Sequence, residues 1–219
     1  MGLNMLAYNW VNEGLLNNAE MHIKMLFNMH NKPYLYYHNV THTEKVIKRA
    51  GIIADSMKLS LPEKNIIILS AWFHDIGYLF EPSGHEQISC EIAAEFLLRE
   101  NVDPAIIEKV QTCIMATKFP QKPNDMLSMV LCDADMSHVA HPDFFDISYL
   151  LWLELKYLCK SELSIFEYWL ETERIFRLHS FFTPYGQNIL TKLKQQNYQL
   201  LLRKISGYSA PGNAPNVSE

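Results

Sequence analysis

Residues 66–77 read Ile66-Ile67-Ile68-Leu69-Ser70-Ala71-Trp72-Phe73-His74-Asp75-Ile76-Gly77, the most apolar run in the chain, broken at once by a histidine and a carboxylate. Hydrophobic residues cover every face of a helix here, so the segment is expected to be buried and central. An imidazole beside a carboxylate at the end of a buried element is costly unless the pair is hydrogen-bonded, ion-paired or coordinated to a cation. A metal ion satisfies both groups. The plainer alternative is a histidine bonded to its neighbours and an aspartate capping a helix, and the flanking sequence has to decide between the two.

Working outward, nearly every segment repeats at helical period. Ser60-Leu61-Pro62-Glu63 has the form of a capping box with an early proline, so the central helix starts there and runs to His74. Before it, Leu16 to Met29 reads as an amphipathic helix with Met21, Met25, Leu26 and Met29 as core filling, broken by Asn31-Lys32-Pro33. The polar and aromatic stretch Tyr34 to His42 opens a second helix with Val46, Ala50, Ile53 and Met57 on one face. After the central helix, Ser83 with Glu86 offers a capping box for a helix with Ile92, Ala93, Phe96 and Leu97 inward, and Asp103-Pro104 starts another that ends near Thr117. Phe119 to Asn124 is a loop, and Met126 to Ala134 is an apolar helix closing in Asp133-Ala134-Asp135. Beyond Pro142, helices are expected at 143–159, 164–180 and 186–205, the middle one opened by Ser164 and Glu167. The tail, 207–219, is rich in Gly, Pro, Ser and Asn and is expected to be disordered. The fold class is therefore all-α, one helical domain over 1–206 with about eight or nine helices.

The helix borders carry the chemistry. His38 and His42, His74 and Asp75, and Asp133 and Asp135 all sit at the edges of apolar segments. Imidazoles mixed with carboxylates suit borderline first-row divalent metals (Mn, Fe, Co, Ni or Zn) better than calcium, which takes oxygen, or structural zinc, which favours cysteine; Mg is kept as a further candidate.

The order His42, His74-Asp75, Asp135 resembles the H…HD…D signature of the HD superfamily of metal-dependent phosphohydrolases. Tyr37-His38-Asn39-Val40-Thr41-His42 is similar to the YHNxxH segment of its cyclic-nucleotide phosphodiesterase branch, and the segments Phe73 to Tyr78 and Asp133 to Ala140 also resemble family segments. The likeness spans about residues 34–140. It implies that His42, His74, Asp75 and Asp135 are the metal ligands, with Asp133 orienting a ligand or a water beside them. It also implies hydrolysis of a small phosphate ester, a nucleotide or a relative, by a metal-activated water. Asp75 would take the proton from that water and His38, four residues before His42, would protonate the departing oxygen. His85 is read as a neighbour of the site or part of a weak second metal site, because no further histidine lies between it and Asp135. Glu86 either orients the water or serves the capping box with Ser83. Lys118 is a candidate phosphate contact, against its reading as a charge that compensates a helix end.

Composition excludes several classes. With 219 residues, 48% of them hydrophobic, the chain can bury a full core, and a formal charge of −5 offers no basic stripe for a nucleic-acid polymer. No window reaches a membrane span, and no secretory signal is evident, so a cytoplasmic protein is expected. The four cysteines, Cys90, Cys113, Cys132 and Cys159, are widely spaced and read as buried thiols of a reducing compartment. The aromatics beyond Pro142, Trp152, Tyr157, Phe166, Trp169, Phe176, Phe181 and Phe182, are spaced for packing, with room among them for a homodimer contact. Two other readings compete with the phosphohydrolase. One is a regulatory module that binds metal or nucleotide without turnover; the other is an HD-type di-iron oxygenase, which the shortage of histidines after Glu86 argues against.

Overall fold

The computed structural model describes residues 11–30, 32–158, 160 and 162–208, which form nine α-helices and no strand. They are α1 (Glu13–His30), α2 (Val40–Ser56), α3 (Leu61–Phe73), α4 (His85–Arg99), α5 (Pro104–Ala116), α6 (Met126–Asp135), α7 (Phe144–Leu158), α8 (Ile165–Leu178) and α9 (Thr191–Tyr208). Short 3₁₀ turns follow α3 (Ile76–Leu79) and α6 (Met136–Ala140), and a π turn (Gly186–Leu190) leads into α9. The chain divides into two compact units, one holding α1–α6 and ending at Asp135, the other holding residues 34–37 and α7–α9. None of the described helices is long and apolar enough to cross a membrane.

In the first unit α3 is the hub, packed against α1, α2, α4, α5 and α6. Ile67, Leu69, Ala71 and Phe73 are fully buried, and each large side chain so removed from water contributes about 1.5–3 kcal/mol before conformational entropy is counted. Its start is fixed as its sequence demands, with Glu63 Oε2 accepting from the Ser60 N–H at 2.8 Å and a proline in the first turn. Ser70, the polar residue in the run, donates its hydroxyl to the Ile66 carbonyl at 2.8 Å. Asn39 caps α2 through Oδ1, which accepts from the N–H groups of Thr41 (3.0 Å) and His42 (3.3 Å). Asp103 caps α5 by accepting from the Ala105 N–H at 2.8 Å.

In the second unit α8 packs on α9, and α9 on the 3₁₀ turn Met136–Ala140. Asn197 Nδ2 ties them by donating to the carbonyls of Val139 (2.9 Å) and His141 (2.8 Å). The buried Glu154 carboxylate accepts from the Tyr37 N–H at 2.8 Å. Ser164 and Glu167 form the expected capping box of α8.

Three local expectations are corrected. The buried face of α1 is Leu15, Ala19 and Ile23, while Met21, Met25 and Met29 are exposed. Both sets recur at helical spacing, but small Ala19 lets α1 lie close on its neighbours, which a methionine stripe would prevent. Ser83 and Glu86 do not form a capping box, because Gly84, at φ 75°, is the N-cap and α4 begins at His85. Glu86 is buried instead. At the far end, Gly207 and Tyr208 belong to α9; 209–219, like Cys159, lies outside the described residues.

Candidate metal centre

Three helix borders in the first unit bring His42, His74, Asp75 and Asp135 together, with one donor atom of each lying within 4.8 Å of all the others. His42 comes from the first turn of α2, His74 is the C-cap of α3 and Asp75 follows it, and Asp135 ends α6. His42 Nε2 lies 3.2 Å from Asp75 Oδ2 and 3.4 Å from Asp135 Oδ1. His74 Nε2 lies 3.1 Å from Asp75 Oδ2, 3.9 Å from Asp135 Oδ1 and 3.4 Å from His42 Nε2. Ligand atoms held about 2.0–2.2 Å from one ion stand ~3–4 Å apart, so the spacing fits a single small cation. His74 Nδ1–H donates to the Ala71 carbonyl at 2.8 Å, which turns the Nε2 lone pair toward the cluster.

The electrostatics reflect two carboxylates facing two imidazoles away from water. Burial disfavours a charged His42, but hydrogen bonds with Asp135 and Asp75 outweigh it and raise its pKa to about 9. His74 is raised in the same contest between burial and the charge of Asp75. Burial pushes the Asp75 carboxyl up, yet His74, His42 and His85 together hold it well below the usual range. Asp135 is lowered for the same reason, burial being overcome chiefly by its hydrogen bond with His42. These side chains favour a positive charge at their midpoint, which protons or a divalent ion can supply.

Residues 39–140 match the HD domain family model. This stretch is an HD domain. The fold agrees with that membership: a crystal structure described as a predicted HD superfamily hydrolase from an uncultured Thermotogales bacterium is similar at TM-score 0.54 and 17% identity, over 88% of this chain and 90% of that one. No curated protein matches the sequence.

The remaining candidates differ in what ties them to the cluster. His85, first residue of α4, donates Nδ1–H to the Pro82 carbonyl at 3.1 Å and has Nε2 3.4 Å from Asp75 Oδ1. Burial lowers the His85 pKa, but Asp75 more than compensates and raises it. Buried Glu86 Oε1 lies 3.6 Å from His85 Nε2. Asp133 is fully buried in α6 and is not among the four converging donors. His38 precedes the Asn39 cap, so no helical face aligns it with His42; their ring centres are nonetheless 5.9 Å apart. Lys118 is exposed, one residue beyond the C-cap of α5. Among the other histidines, His22 stacks on Phe96, His30 meets Phe80 edge-on and His138 contacts the Tyr37 hydroxyl, which accounts for them as packing residues. Cys90, Cys113 and Cys132 are buried free thiols, the first two pushed up to about 12 by burial.

Two residues at the site had no role in the sequence reading. Tyr78 lies between two imidazoles, stacked on His38 at 3.7 Å and 9° and packed on His85 at 4.0 Å. Gln121 Nε2 donates to Asp135 Oδ2 at 3.3 Å. Tyr78 was visible only as the last letter of the motif segment, and Gln121 lay in a proline-flanked loop without periodicity.

Proposed function

We propose that the chain is a metal-dependent phosphohydrolase acting on a small phosphate ester, a nucleotide or a relative. The observation that carries the reading is the convergence of two imidazole nitrogens and two carboxylate oxygens, all mostly buried, within the residues that match the HD domain model. A divalent ion there, Mg or a first-row transition metal, would lower the pKa of a water and polarise a phosphoryl oxygen. His42, His74, Asp75 and Asp135 would hold that ion. Asp75 keeps Oδ1 turned to His85, 3.4 Å away, so this carboxylate can take up a proton and pass it along the pair. His38, braced face to face on Tyr78, donates a proton to the leaving oxygen; the YHNxxH likeness supports this assignment. Glu86 Oε1 stands 3.6 Å from the same His85 nitrogen, where it can help orient the water, and Lys118 offers a cation to the phosphate.

The test is metal analysis of the purified protein and its Asp135→Ala variant, followed by a screen of phosphate monoesters and diesters with the metal found. About one ion per chain in the parent, absent from the variant, with metal-dependent phosphate release, is the expected result. A protein that takes up no ion after incubation with manganese, iron, cobalt, nickel, zinc or magnesium excludes the reading.

A further inference from the structure

The loop between α5 and α6 brings one uncharged amide into the cluster. Gln121 is half-buried and sits between Pro120 and Pro123, whose rings restrict the backbone on either side. Its Nε2 donates to Asp135 Oδ2 at 3.3 Å, and Asp135 Oδ1 faces His42 at 3.4 Å and His74 at 3.9 Å. The two oxygens of Asp135 are thus divided: one is engaged by the amide and the other turned to the imidazoles. The reversed amide would set Oε1 against a carboxylate oxygen, acceptor facing acceptor, so the chemistry of Asp135 fixes the orientation. Gln121 Oε1 is itself buried without a hydrogen-bond partner.

We propose that Gln121 is a positioning residue for the metal centre, which holds Asp135 so that a single oxygen, Oδ1, is presented to the ion. Removing the amide takes this hydrogen bond from Asp135 Oδ2, and with it the restraint that the bond places on which oxygen faces the imidazoles. The inference rests on the metal-centre reading above and adds to it the residue that sets how one ligand binds. An uncharged donor is suited to this task, since it orients the carboxylate without cancelling the charge the ion requires.

The test compares the full chain with Gln121→Met, which keeps length and volume but removes the amide, and with Gln121→Leu as a second variant should the first not fold. Metal affinity is measured by competition with a chromophoric chelator, and the coordination is read from the visible spectrum of the cobalt-loaded protein. Loss of a partner that orients a ligand typically weakens metal binding about 10–100-fold. The expected result is a loss of that size with a changed cobalt spectrum, while circular dichroism of the metal-free variant matches the parent. Unchanged affinity and an unchanged spectrum in a folded variant overturn the proposal alone. A parent protein that binds no metal overturns the metal-centre reading and this proposal with it.

Discussion

At the scale of single residues, Asp75 and His38 are separable by experiment because one is a donor to the cluster and the other stands outside it. Asp75 Oδ2 lies within 3.2 Å of both imidazoles, whereas the His38 ring meets Tyr78 and lies 5.9 Å from the His42 ring. Asp75→Ala is expected to lose the bound ion and turnover together. His38→Ala should keep the ion and lose about 10²–10⁴ in kcat, the usual contribution of a positioned general acid. Metal stoichiometry and steady-state rates on the same preparations check both; full turnover in His38→Ala would remove that histidine from the mechanism.

At the scale of elements, the centre depends on where helices stop. A carbon added at Gly77 would meet the His85 carbonyl oxygen at 2.1 Å, so the 3₁₀ turn after α3 and the start of α4 touch backbone to backbone there. Only glycine permits that approach, which carries His85 to within 3.4 Å of Asp75. Gly77→Ala should cost about 3 kcal/mol, the upper end of overpacking penalties, and also displace His85. Denaturant midpoints measure the first effect, and the imidazole resonances of His85 report the second. An unchanged midpoint would show that the contact yields at no cost. On the other side of the site, the Asn39 cap that starts α2 also bonds the His42 N–H, so one side chain sets the helix start and the entry of a cluster residue.

At the scale of the whole molecule, the cluster links stability to pH. His42 titrates at about 9 in the folded protein without metal, against about 6.5 when unfolded. Because the folded pKa is the higher one, its stabilisation is fully present below about pH 6.5 and is lost as pH rises through 9. Protein stripped of metal should therefore lose stability between these values, by as much as ~3 kcal/mol at 1.36 kcal/mol per unit. Bound metal displaces the proton and is held more tightly as pH rises, so the loaded protein should gain stability over the same range. Thermal unfolding with and without chelator tests the opposite slopes; parallel slopes would refute the linkage. The all-helical class, the capped start of α3 and the four-part order of His42, His74, Asp75 and Asp135 were legible in the sequence, because periodicity, caps and motif spacing are local properties. The buried face of α1 was not, since two helical stripes competed and only the neighbours it packs against could choose Leu15, Ala19 and Ile23 over the methionines. Nor were the stacking of Tyr78 on His38 and the Gln121 bond to Asp135 legible, because each joins segments whose separation in the chain carries no period. The sequence by itself determined the helices and the metal-type residues at their ends; tertiary packing alone decided which side chains surround them, because burial and hydrogen-bond direction exist only once the helices have met.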